Sequence, residues 1–294
     1  MSISKVAIAG ATGNLGPAIV KQVLEDGFKV TVLSRKGSST NFPPSVTVSE
    51  IDYESPESLA KALEGQDAVV SAVGFPGLIH QLPLVEAAVK AGVKRFIPSE
   101  YGLDAENEKG LQMPQFLAKK LVQDALKKEA AAGTLTYTLI STGPFLDMAI
   151  RYGMFVNLKD KSAKLWNGGD SRFSTTTIAS VAQAISGVLK HPEETKNRNV
   201  LVHNASTTQN ELLAKAKKAV GAEGWTTEVA YTDDLLKKAY AALGTGQVDR
   251  QGFIIAAIFG EGYGCRFEKV DNELLGVKEF SDADIQNVVD GLAK

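Results

Sequence analysis

Short, wholly apolar runs alternate with stretches of helical periodicity through the first half of the chain, and this alternation constrains the fold more than any other feature. Lys5–Ala9 is one such run, and residues 14–25 follow it with Leu15, Ile19, Val20, Val23 and Leu24 at helical spacing. Further strands are predicted at 28–33, 45–51, 68–73, 94–98 and 136–141, with helices at 55–63, 78–91 and 112–131 between them. Strands that are apolar along their whole length need cover on both faces, and a strand–helix–strand rhythm makes them parallel. The prediction is therefore an α/β fold built on a doubly wound, mostly parallel sheet. Its ligand is expected at the carboxyl ends of the strands.

Beyond Phe145 the rhythm loosens. Helices are predicted at 177–189, 209–220, 233–243, 251–259 and 282–292, with a strand at 199–202 and a turn at 166–170. No Pro- or Ser-rich linker separates the halves. Residues 1–150 are thus expected to form a dinucleotide-binding half and 151–294 a smaller α/β substrate lobe packed on it, with segments free to interleave.

Charge narrows the partners. Thirty-two Lys and Arg against 34 Asp and Glu leave a net charge of −2, which argues against a nucleic-acid or membrane surface. Residues 6–9 are the longest apolar stretch near the N-terminus before Gly10, too short for a signal-peptide core or a bilayer span. One Cys and 3 His are too few for a Cys/His zinc site, and Cys265 cannot form an internal disulfide. A cytoplasmic protein is expected.

The turn Gly10-Ala-Thr12-Gly13-Asn14-Leu15-Gly16 joins the first strand to the first helix. Glycines there permit a tight turn, close approach to a pyrophosphate and close helix–strand packing, while the helix N-terminus offers free N–H groups. That context marks a dinucleotide site of the Rossmann type. The second strand ends in Ser34-Arg35-Lys36 where a carboxylate would favour NAD. A guanidinium, an ammonium and a hydroxyl suit a 2′-phosphate, so NADPH is the expected cofactor. Asp52, ending the third strand, is either an adenine contact or a plain loop carboxylate. Val73 and Gly74 end the fourth, where small residues let backbone approach the ribose and nicotinamide. Phe75 is either a wall of that site or core, and His80 either faces the nicotinamide or is a surface or cap residue at a helix start.

None of the 7 tyrosines has Lys four residues later, so the Tyr-x-x-x-Lys pair of typical short-chain reductases is absent. Instead Val93-Lys-Arg-Phe-Ile-Pro-Ser99-Glu100-Tyr-Gly102 leads to Phe116-Leu-Ala-Lys119. Together with the glycine turn, Arg35 and Ser71-Ala-Val-Gly74, these segments resemble the isoflavone reductase-like, phenylcoumaran benzylic ether reductase and NmrA-like branch of the atypical short-chain dehydrogenases. The resemblance covers about the first 150 residues; later, Leu274–Phe280 is similar to fungal members.

The resemblance implies that Lys119 is catalytic. The residues alone leave it open between a proton donor near the strand ends and one lysine of a solvated helix face. As an ammonium beside the nicotinamide it can give a proton or polarise a carbonyl. The resemblance also implies that Pro144 and Phe145 flank nicotinamide and substrate. Ser99 is open between a cofactor contact and a structural role, as is Glu100 as a loop anchor. Phe145, Met148, Tyr152 and Phe155 have spacing suited to a pocket or to core. The resulting expectation is a reductase passing hydride from NADPH to an aromatic or conjugated ketone, aldehyde, quinone or enone, as monomer or homodimer. Its rival is a non-catalytic redox sensor of the NmrA type.

Overall fold

A computed structural model describes residues 2–38 and 41–294. The chain builds strand β1 (Lys5–Ala9), helix α1 (Gly16–Glu25), β2 (Lys29–Arg35), β3 (Thr47–Ile51), α2 (Pro56–Leu63), β4 (Ala68–Ser71), α3 (Gln81–Lys90), β5 (Arg95–Ile97), α4 (Glu108–Leu111), α5 (Leu117–Ala131) and β6 (Thr136–Ser141). Next come α6 (Leu146–Arg151), β7 (Ser162–Trp166), β8 (Phe173–Thr175), α7 (Ile178–Lys190), β9 (Arg198–Leu201), β10 (Ala205–Thr207) and α8 (Gln209–Val220). The chain closes with β11 (Thr226–Ala230), α9 (Thr232–Leu243), α10 (Arg250–Phe259), α11 (Asn272–Leu275) and α12 (Asp282–Leu292).

Seven strands form one parallel sheet in the order β3-β2-β1-β4-β5-β6-β9. Alternate side chains of β1 feed two cores. Val6 and Ile8 face α1 and α7, whereas Ala7 and Ala9 face the layer of α2, α3 and α5. The strand order reverses between β1 and β4, which opens a crevice at their carboxyl ends. The sheet's last strand and the helix beside α1 both come from beyond residue 150, so the two halves interleave.

The lobe is built on two-stranded sheets, β8 with β10 and β11 with β7. Phe155, Phe173 and Phe259 meet in its core, with centroids 4.9 to 5.9 Å apart. The predicted long helix from 112 begins only at Leu117, because Pro114 starts a separate short turn at Pro114–Phe116. Arg95 is fully buried. Its guanidinium donates to the hydroxyls of Thr136 and Thr138 and to the carbonyl of Pro192, stitching β5 and β6 to the loop before β9. Burial pulls its pKa down to about 10, against the opposing effect of Glu193.

Candidate active site

The turn after β1 is held by steric necessity. Gly10 has φ +80, and a Cβ there would lie 2.5 Å from the carbonyl oxygen of Ala72 after β4; one on Gly16 would lie 2.3 Å from the carbonyl oxygen of Gly10. The Gly13 N–H closes the turn onto Gly10 O at 3.0 Å. Helix α1 then starts at Gly16, and its N-cap residue Leu15 gives no side-chain cap, leaving first-turn N–H groups for an anion. Leu15 itself is core, so only its backbone faces the turn, while Thr12, Gly13 and Asn14 are exposed.

A cavity of about 550 Å³ opens beside this turn. It gathers Gly10, Thr12 and Gly13 with Ser34, Arg35 and Lys36 from the end of β2, Asp52 after β3, and Val73, Gly74 and Phe75 after β4. Asn14, Leu15, Gly16, Lys119, Pro144 and Phe145 lie outside this lining. Neither Arg35 nor Lys36 is paired with a carboxylate among the described residues, so both charges are available to a ligand. A glycine-lined wall and two cations in one cavity, beside an uncapped helix end, fit an NADPH diphosphate and its additional phosphate. Asp52 has a structural task as well: its carboxylate accepts the Glu54 N–H at 2.9 Å, and its own N–H donates to the Ser58 hydroxyl.

Tyr53 was not evident as a site residue. It lines the cavity and packs against His80 with ring centroids 5.3 Å apart. The signal was an aromatic immediately after the end of the third strand. The imidazole of His80 thus stands beside Tyr53 in the cavity wall. Phe75 is 42% exposed on the cavity rim, and the Arg250 guanidinium of the lobe lies 5.3 Å from its ring centroid.

Lys119 and Glu100 form a second, closed centre. Lys119, in the first turn of α5, donates to the Glu100 carbonyl, and its ammonium lies 3.5 Å from the Glu100 carboxylate. The two side chains are only 13% and 4% exposed. Gln123, one turn further along α5, donates to the other carboxylate oxygen at 3.0 Å. That partner was missed because only the long-range approach of the loop after β5 to α5 reveals it. The Phe116 ring lies 5.7 Å from the ammonium.

Ser99 holds the two regions in register. Its hydroxyl donates to the Val73 carbonyl at 2.8 Å and its N–H donates to the Gln81 side chain, so it orders the loop after β4 and does not line the cavity. Tyr101 supplies no substitute acid, since its hydroxyl is buried without a partner and burial pushes its pKa far up. Burial likewise keeps the Cys265 thiol protonated.

Pro144 and Phe145 follow β6; the Pro144 carbonyl accepts from the Thr175 hydroxyl at 2.7 Å, and Phe145 is partly buried at the start of α6. The pocket expected from the spacing through Phe155 is not assembled. Helix α6 ends at Arg151, so Tyr152 falls beyond it and is 71% exposed, Met148 is half-buried, and Phe155 turns into the lobe core.

Residues 2–242 match the NmrA-like family. The chain belongs to that family. Among its relatives, the oxidoreductase aprR of Aspergillus flavus is 37% identical over 83% of this chain and 83% of its own. The oxidoreductase poxI of Penicillium oxalicum is 32% identical, covering 94% of this chain and 91% of its own. The fold matches the leucoanthocyanidin reductase–NADPH complex of Vitis vinifera with a TM-score of 0.78 at 21% identity, over 97% of this chain and 99% of the other. This NmrA-like protein is an oxidoreductase, which decides between the two expected classes in favour of the enzyme. Among its described residues, no helix is long and apolar enough to cross a membrane, and no group of three or more His, Cys, Asp or Glu could hold a metal ion.

Proposed function

We propose that this protein is an NADPH-dependent reductase of aromatic or otherwise conjugated small molecules, with Lys119 as the proton donor. When bound, NADPH supplies the hydride. Residues of the β1–α1 turn bind its diphosphate through backbone N–H groups, and Arg35 and Lys36 take the additional phosphate. Carbonyl reduction then needs one more proton at oxygen, which becomes the hydroxyl of the product. Lys119 carries that proton on Nζ, with the Glu100 carbonyl and carboxylate fixing its direction. Phe75 and Phe145 are the aromatic walls assigned to the substrate side.

The observation carrying this reading is the buried Lys119–Glu100 pair, an ammonium held in place on α5 and mostly shielded from bulk water. Ketones, aldehydes, quinones and enones attached to aromatic rings are the substrates to try. A single cysteine, which permits no internal disulfide, supports a cytoplasmic setting. The test is NADPH consumption against a panel of these compounds with wild type and Lys119→Met. Turnover by wild type and its loss in the variant, with NADPH binding retained, is the expected result. Full turnover by Lys119→Met overturns the assignment of the acid, and no turnover on any panel member overturns the substrate class.

A further inference from the structure

The nucleotide cavity has one wall that neither the glycine turn nor Arg35 accounts for. Tyr53 follows β3, and His80 ends the tight turn Gly77–His80 that precedes α3. The two loops are separate in sequence, yet their rings meet at 5.3 Å with planes inclined by 36°, and both line the same cavity. Tyr53 is partly buried and lines the cavity with Arg35; burial raises its pKa, and the Arg35 guanidinium acts in the opposite sense. Ile51, two residues before Tyr53, pairs with Arg35 across β3 and β2, so the ring pair stands at the Arg35 end of the crevice. His80 is exposed and has no carboxylate partner among the described residues, so its N–H is available to a ligand.

A flat base gains by lying against aromatic rings, and an imidazole N–H is a donor suited to a phosphate oxygen. We propose that Tyr53 and His80 form the second half of the 2′-phosphoadenosine site, Tyr53 giving the base an aromatic wall and His80 donating to the 2′-phosphate beside Arg35. This deepens the NADPH reading and rests on it. It also gives the loop after β4 two tasks, since Gly74 and Phe75 line the cavity a few residues before His80.

Titration calorimetry with two adenosine fragments tests the proposal without any substrate. Wild type is expected to bind 2′,5′-ADP more tightly than 5′-AMP. His80→Ala and His80→Phe should lose about tenfold for 2′,5′-ADP and much less for 5′-AMP, because both remove the donor. Tyr53→Leu should lose about tenfold for both fragments, as loss of a stacking surface requires. His80 is exposed, so its variants keep the fold, and Tyr53→Phe, which keeps the ring, should bind both fragments as wild type does. Unchanged affinities in the His80 and Tyr53→Leu proteins overturn the proposal, as does an equal loss of both fragments on His80→Phe. A wild type that binds the two fragments alike is a different failure: it removes the 2′-phosphate reading itself.

Discussion

The nucleotide cavity and the Lys119 centre solve opposite problems. The cavity is open, lined by backbone and by exposed cations that no carboxylate satisfies among the described residues. At the Lys119 centre the charge is nearly buried and already matched by Glu100, whose carboxylate also accepts from Gln123. An open cationic site leaves its electrostatic free energy for a ligand. A closed ion pair spends it internally on geometry, since a buried carboxylate without its partner is strongly disfavoured. Under the proposed function, binding and proton delivery separate: one region should respond to mutation in affinity, the other in rate.

Lys119→Met breaks the comparison most severely. The turnover number should fall about 100-fold or more, while fluorescence titration gives an NADPH dissociation constant close to that of wild type. Loss of NADPH binding in this variant would merge the two regions into one. Gly10→Ala should act on the other region alone. Its methyl meets the Ala72 carbonyl at 2.5 Å in a φ that disfavours L residues, so the turn must shift. NADPH affinity should drop at least about tenfold, with a lowered thermal midpoint, because the phosphate-facing amides move with the turn.

Glu100→Gln sharpens the comparison from within the Lys119 centre. It keeps the Gln123 contact and the carbonyl acceptor but removes the negative charge. The turnover number should fall about tenfold with KM for NADPH unchanged, and Glu100→Asp should recover part of it. A purely structural Glu100 would lower the melting temperature and leave the turnover number of the folded protein alone.

The smallest effect lies in the scaffold. Asp26, at the end of α1, accepts from Lys190 at 2.5 Å and Ser186 at 2.6 Å on α7. The Lys190 hydrogen bond chiefly holds its pKa down at about 2, against an ordinary 3.8. A depressed carboxylate contributes stability that is fully present above its unfolded value and is lost as pH falls through the folded one. Asp26→Asn should therefore cost about 1 kcal/mol near neutrality, after allowance for solvent screening. That difference should shrink between pH 4 and pH 2 in urea denaturation, with NADPH affinity and turnover untouched above that range.

The nucleotide half was legible because its strands other than the edge strand β3 are largely covered on both faces and its glycines answer local constraints. Gly10 and Gly16 are required by atoms a few residues away or on the adjacent strand end, so the motif and its context sit together in sequence. Arg35 is legible for the same reason, since the end of β2 is itself a landmark. The lobe was less so: β7, β8, β10 and β11 are three to five residues long and pair over long separations, leaving no periodic trace. Within the site, Gln123 and the Tyr53–His80 contact depend on tertiary approach. The Phe145–Phe155 spacing misled because α6 stops after six residues, which breaks the helical register that would have kept Tyr152 on a common face.

The central claim is that an exposed guanidinium beside the opening turn selects the phosphorylated cofactor. Dissociation constants of NADPH and NADH for wild type and Arg35→Ala, measured by quenching of protein fluorescence, test it most directly. Tight NADPH binding is expected, with NADH weaker by about tenfold or more and near equality of the two in the variant through loss of NADPH affinity alone. Equal affinities in wild type, or an equal loss of both cofactors in Arg35→Ala, would contradict it.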